Sequence, residues 1–290
     1  MPERIANLKE DLDEKSKKNI DTYLFRMLYL PDGHLRNNYK MSTVYLDSLN
    51  TKEEKIFFKM FCDELPKYKI DYFHTIDAYN PDTYLFHHGL RFASDKIKEY
   101  IKNKDFIDGG AWIGDGVMVL TRFYNPKKVY AFELSKVNYE MSKAVMEINK
   151  IPKEKYCLIP MGLNDKKETI LYRDGGTQGT SALTKGNDEA NMTDIDSFVF
   201  ENNINPGFIK ADIEGFGLRG LKGMEKTIKQ FRPVLSLAIY HNPEEFFEMK
   251  PLLDQIVKDK NYKITVDRYN VIIGELTEMV IFAYPAELGE

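Results

Sequence analysis

Two apolar runs that each end in an acid, with a glycine-rich bend between them, are the part of this chain where chemistry can first be read. The first is Asp105-Phe-Ile-Asp-Gly-Gly-Ala-Trp-Ile-Gly-Asp-Gly116, and the second is Val129-Tyr-Ala-Phe-Glu133. A strand that ends in an acid, bends through glycine and enters a helix holds a nucleotide-type ligand at the carboxyl ends of parallel strands. A dinucleotide would need glycine at the first, third and sixth places of the bend. Counted from Gly109, the third place is Ala111 and the sixth is Gly114; counted from Gly114, the sixth is Val119. Neither register fits. A phosphate-binding P-loop would need lysine where Asp115 stands.

Asp108 and Asp115 would repel phosphates but suit a ligand that carries an ammonium and a sulfonium, as S-adenosylmethionine does. Gly109, Gly110 and Gly114 let the backbone approach the methionine part of such a ligand, with Ala111 and Ile113 in the same bend. Glu133, followed by Leu134, stands where the acid of a second strand accepts hydrogen bonds from ribose hydroxyls.

A second chemical segment is Phe208-Ile-Lys-Ala-Asp-Ile-Glu-Gly215, in which Lys210, Asp212 and Glu214 alternate. If the strand continues to Glu214, all three point to one side. Charges buried in that way need partners, which a ligand or substrate can supply; an internal Lys210–Asp212 ion pair is the structural alternative. His241 follows the apolar run 234–240. Three roles stand open for it: general base, loop histidine capping the helix that begins near Pro243, or ligand of a divalent cation together with Asp212 and Glu214. No metal ligands are assigned from the sequence. His87 and His88, before Gly89, either line the pocket or are structural, and His34 and His74 have no supporting context.

The combination of Asp108-Gly-Gly-Ala-Trp-Ile-Gly114, Ala131-Phe-Glu133, Ile209-Lys-Ala-Asp-Ile-Glu-Gly215 and Leu237-Ala-Ile-Tyr-His241 resembles the FkbM family of S-adenosylmethionine-dependent methyltransferases over about residues 85–284. The resemblance implies a class I Rossmann-like α/β fold with a mostly parallel seven-stranded sheet and an antiparallel last strand. It implies O-methylation of a sugar, glycan or small-metabolite hydroxyl. Asp108, Gly110 and Gly114 map onto the family's cofactor loop, Glu133 onto its ribose ligand, and Lys210, Asp212 and Glu214 onto its active-site strand. One departure is Gly217, where the family usually carries a second acid.

The elements that must position these residues follow from periodicity. Strands are expected at 105–108, 128–132, 156–161, 207–211, 233–239, 262–267 and 278–284, with helices near 115–124, 135–149, 218–230 and 244–259. Ser135 is the expected N-cap of the second helix. Residues 168–172 are expected as a small extra strand or hairpin edge, and the polar, glycine-rich loop 175–181 is long enough to fold over a ligand. Residues 1–100 read as a mainly helical cap, with Ile5, Leu8 and Leu12 and then Ile20, Tyr23, Leu24, Met27 and Leu28 at helical spacing. A turn at Pro31-Asp-Gly33, a helix over 53–65 stopped by Pro66, an irregular aromatic stretch over 68–86 and a short helix over 94–102 complete it. The methyltransferase domain then occupies 101–290.

At 290 residues, 43% hydrophobic and 30% charged, the chain can bury a full α/β core. A net charge of −4 without a Lys/Arg cluster gives no reason to expect nucleic acid. The charged amino terminus lacks a signal-peptide core, and no apolar run reaches the roughly 20 residues of a membrane span. Cys62 and Cys157 are expected as buried thiols of a cytoplasmic protein. A homo-oligomer stays open. Two other function classes also stay open: a non-catalytic protein of this fold whose cap binds a partner, and a nicotinamide-dependent oxidoreductase.

Overall fold

A computed structural model describes residues 1–29, 51–67, 79–177, 179–269 and 278–289. The turn at 31–33, His34, His74 and residues 68–78 of the aromatic stretch lie outside the described residues.

Among the described residues, the first helices are α1 (Pro2–Lys9), α2 (Glu14–Tyr29) and α3 (Lys52–Lys67). The last runs one residue past Pro66, which sits in its final turn and removes one hydrogen bond of the ladder just before the helix ends. A single turn, α4 (Pro81–Tyr84), and α5 (Asp95–Ile101) lead to the sheet. Ser94 caps α5 by accepting the Ile97 N–H.

The main sheet is built from β1 (Asp105–Gly109), β2 (Val129–Phe132), β3 (Tyr156–Ile159), β7 (Pro206–Ala211), β8 (Val234–Ala238), β9 (Tyr262–Arg268) and β10 (Met279–Pro285). Its order is β3-β2-β1-β7-β8-β10-β9, parallel throughout except for β10, which runs antiparallel to both neighbours. The expected fold class, a class I methyltransferase sheet with its antiparallel last strand, is the one observed. A smaller sheet holds β4 (Gly162–Leu163), β5 (Glu168–Tyr172) and β6 (Asp188–Thr193) in the order β4-β6-β5.

β1, β7 and β8 are buried along their whole length, as strands covered on both faces must be. Alternate side chains divide between two cores: Ile107, Ile209, Leu235 and Ile281 on one face, Phe106, Phe208, Val234 and Phe282 on the other. The amino-terminal segments join both. Leu8, Leu12, Ile20 and Tyr23 pack into the first core, and Phe61, Tyr84, Leu85 and Leu90 into the second.

Helices follow the strands: α6 (Asp115–Tyr124) after β1, α7 (Lys136–Ile148) after β2, α8 (Ile195–Glu201) after β6 and α11 (Pro243–Val257) after β8. The single helix expected over 218–230 is instead two, α9 (Gly217–Lys222) and α10 (Glu225–Phe231). The break falls at Gly223, where a Cβ would lie 2.1 Å from the Asn164 carbonyl oxygen, so backbone must pass backbone there. The cysteine expectation also fails in part: Cys62 is exposed on α3 and Cys157 is half-buried. Among the described residues no helix is long and apolar enough to cross a membrane.

β1 has β2 on one side and β7 on the other, so chain connections leave it in opposite directions. A crevice opens outside the carboxyl ends of the strands at such a switch point. Both chemical segments read from the sequence end there.

Candidate active site

On the β1–β2 side the backbone does most of the positioning. Beyond β1 the chain turns through Gly110 at φ +74°, and a Cβ on that residue would lie 1.8 Å from the Asp212 carbonyl oxygen. Only glycine fits both the left-handed conformation and the approach. Gly114 (φ +81°) caps α6, and Met146 closes over it so that a Cβ would lie 2.8 Å from its Cε. Ala111 and Ile113 point into the core rather than the cleft, while Gly109 abuts Leu163.

Glu133, just past β2, is 7% exposed and accepts hydrogen bonds on both oxygens. Trp112 N–H donates to Oε2 at 2.7 Å; Ser135 N–H at 2.8 Å and Asn138 Nδ2 at 3.4 Å donate to Oε1. Burial pushes its carboxyl up to about 7 against the pull of these donors. Ser135 caps α7 as expected, accepting Asn138 N–H at 3.1 Å. From the loop expected over a ligand, Thr177 C=O accepts from Asn138 Nδ2 at 3.0 Å, and the Ser181 hydroxyl donates to the Glu214 carbonyl.

Between the two halves stands Lys210. Its Nζ lies 3.1 Å from Asp108 Oδ1 and donates to the Gly110 carbonyl at 2.6 Å. Burial alone would lower its pKa, but Asp108, Asp212 and Asp115 raise it, so the ammonium stays charged. Its partner is therefore Asp108, not the Asp212 of the internal-pair alternative. Apart from this ion pair the buried Asp108 oxygens have no hydrogen-bond partner. Asp115, on the first turn of α6, is pushed up to about 6, chiefly by burial and also by Asp108, with Lys210 opposing.

On the β7–β8 side the strand ends at Ala211, so the expected run of three like-facing charges does not extend to Glu214. The chain turns there through Glu214 (φ +48°) and Gly215 (φ +95°). This left-handed conformation, uncommon for a residue with a side chain, marks a strained position of the kind found at functional sites. The result is a knot of polar side chains. His241 Nε2 lies 2.9 Å from Asp212 Oδ1 and 3.7 Å from Glu214 Oε1, and its Nδ1 lies 3.0 Å from Glu245 Oε2. The Tyr240 hydroxyl donates to both Asp212 oxygens at 3.3 Å. Burial would lower the His241 pKa, but the three carboxylates push it up to about 12, while His241 and Lys210 hold Asp212 down at about 2 against its own burial. The cap of α11 is Asn242, whose side chain accepts Glu245 N–H at 2.8 Å, so the capping role considered for His241 is filled by its neighbour.

A cleft of about 730 Å³, counting the solvent at its mouth, joins the halves; Gly110, Asp115, Glu133, Leu134, Lys210, Asp212 and Glu214 all line it. Side chains not singled out from the sequence line it too: Asp82 and Thr83 from α4, Trp112, Met161, Thr180 and Met192. His88 also lines it, whereas His87 turns away, its Nδ1 2.8 Å from the Tyr124 hydroxyl and its ring stacked on Phe123. Burial, with Asp115 and Asp212 nearby, pushes Asp82 up to about 7. Glu245 was legible in principle, four residues after His241 at the start of a helix. It also occupies the space beside Gly217, whose N–H it accepts at 2.6 Å.

The Methyltransferase FkbM domain matches residues 108–264, over half of the chain. Among solved structures the chain is similar to that of Methyltransferase FkbM from Methylobacillus flagellatus KT, with 19% identity and a TM-score of 0.55. The similarity covers 93% of this chain and 60% of that one. An rRNA methylase from Streptococcus thermophilus is matched at 12% identity and a TM-score of 0.43, over 73% of this chain and 98% of that one. Among curated proteins, a 23% identical stretch of 133 residues joins 40% of this chain to 50% of the acetylglutamate kinase of Bacillus cytotoxicus. The chain thus spans about half the length of the curated relative it matches. The sheet order, the placing of the cleft and the domain match agree: this chain belongs to the FkbM methyltransferase family.

Proposed function

We propose that the protein transfers a methyl group from S-adenosylmethionine to a hydroxyl oxygen of a sugar, glycan or small metabolite. The observation that carries the cofactor reading is Glu133, locked by the Trp112 and Ser135 N–H groups at the end of β2, beside the Gly110 bend in the wall of the cleft. The fit is specific. The bend at Gly110 is a cradle that any Cβ would fill, and the lone-pair site that Trp112, Ser135 and Asn138 leave open on Glu133 suits a ribose hydroxyl. Gly110, Gly114 and Asp115 would hold the methionine part, with Asp108 fixing Lys210 beneath the bend, and Glu133 and Leu134 would hold the adenosine. The bound cofactor supplies a sulfonium methyl whose intrinsic reactivity leaves the protein to align donor and acceptor and exclude water.

The acceptor sits in this reading beside Asp212, Glu214 and His241. Its oxygen forms the new bond to carbon as the sulfur–carbon bond breaks, and its proton goes to Asp212. His241 keeps its own proton at neutral pH and so acts by orienting Asp212, with Tyr240 on the other side. Lys210 fixes the bend against β7 and faces charge that develops on the oxygen. Residues 1–100 serve as the helical cap of a methyltransferase domain at 101–290, contributing Asp82 and His88 to the cleft. Radiolabelled methyl transfer to a panel of saccharides and hydroxylated metabolites tests this. Label in a hydroxyl acceptor, abolished by Asp212→Asn, is expected; label only on amines would overturn the oxygen assignment.

A further inference from the structure

The polar knot at the β7–β8 end has more ligand chemistry than proton transfer uses. Asp212, Glu214 and His241 each offer one ligand atom, and the three atoms lie within 4.8 Å of one another. The His241 side chain is only 8% exposed, and its Nε2, aimed between the two carboxylates, has no hydrogen-bond partner despite its close approach to Asp212. Its other nitrogen is fixed from behind by the buried Glu245, whose second oxygen is fixed in turn by the Gly217 N–H. A carboxylate on the far nitrogen of a histidine is what orients that histidine toward a metal. Two carboxylates with one imidazole form a hard, oxygen-rich donor set of the kind that magnesium and manganese accept.

We infer that Asp212, Glu214 and His241 bind one divalent cation of the magnesium–manganese class at the acceptor end of the cleft, with Glu245 as the residue that positions His241. Binding releases the imidazole proton, because a ligating histidine is neutral. An acceptor hydroxyl that reaches the cation becomes more acidic, and the Asp212 oxygen not engaged by the cation takes its proton. This role rests on the methyl-transfer reading. The existence of the site does not.

The test uses the full chain, stripped of metal with a chelator, and free Mn²⁺ followed by its paramagnetic resonance signal. One saturable Mn²⁺ per chain is expected in the absence of any cofactor. Glu214→Gln, at a side chain 27% exposed and therefore tolerant of change, should weaken binding at least roughly tenfold. Glu245→Gln should weaken it by roughly 10–100-fold without removing a ligand. Circular dichroism and S-adenosylhomocysteine titration of the same samples show that each variant is folded and separate the two readings: Mn²⁺ binding without S-adenosylhomocysteine binding leaves the cation site standing and removes the cofactor assignment. Folded protein that binds S-adenosylhomocysteine but no Mn²⁺, or binds Mn²⁺ equally in both variants, overturns the inference.

Discussion

At the carboxyl ends of β1 and β2 the cleft is shaped by main chain: a left-handed glycine against a carbonyl, a helix capped by another glycine, and a carboxylate held by two N–H groups. At the ends of β7 and β8 it is shaped by side chains that hold one another, with Asp212, Tyr240, His241 and Glu245 in one connected set. The difference separates what each half can tolerate. A main-chain site depends on glycines and fails when a Cβ is added. A side-chain network can lose one member while the fold survives, and then loses its chemistry instead.

The largest effect should come from joining the halves destructively. Gly110→Ala places a methyl group 1.8 Å from the Asp212 carbonyl in a left-handed conformation, so both sides must move. Loss of soluble folded protein, or at least a roughly 100-fold loss of S-adenosylhomocysteine affinity, is expected by calorimetry. Normal affinity would mean that the bend is not the cradle. Next, Asp212→Asn should lower turnover by roughly 10²–10⁴ while S-adenosylhomocysteine affinity changes less than about threefold. Equal losses in both would dissolve the distinction between the halves.

The smallest effect is on stability against pH. Glu133 and Asp82 are pushed up to about 7 and Asp115 to about 6, all by burial first. Between pH 5 and 7 the folded chain therefore keeps protons that the unfolded chain has lost, and stability falls as pH rises, by on the order of 1–3 kcal/mol. Urea midpoints at pH 5, 6 and 7 measure this, and Glu133→Gln should flatten part of the slope. Because the buried neutral His87 and His88 act in the opposite direction, the acids are read from the difference: equal slopes in wild type and Glu133→Gln would contradict the burial of Glu133 without compensation.

The same contrast explains what could be read from the chain alone. Main-chain sites announce themselves locally: Gly110, Gly114 and the terminal acid Glu133 lie within one strand–bend–helix–strand unit, and β1 and β2 followed from continuous apolar runs, as strands buried on both faces must. Side-chain networks do not. Asp82, Thr83 and His88 reach the cleft because α4 packs on the second core, a tertiary fact with no periodicity to betray it. Lys210 was visible as a charge on an apolar strand, but its partner Asp108 lies on the neighbouring strand, and only the register sets them side by side. The break at Gly223 was invisible for the same reason, being imposed by the carbonyl of Asn164 from another part of the chain.

The central claim is that Glu133 and the Gly110 bend form the cofactor pocket, and calorimetric titration of cofactor-stripped protein with S-adenosylhomocysteine tests it most directly. Saturable binding is expected, weakened roughly 10–100-fold in Glu133→Ala by the loss of hydrogen bonds to a charged group. No saturable binding to folded wild-type protein, or equal binding by the variant, would contradict it.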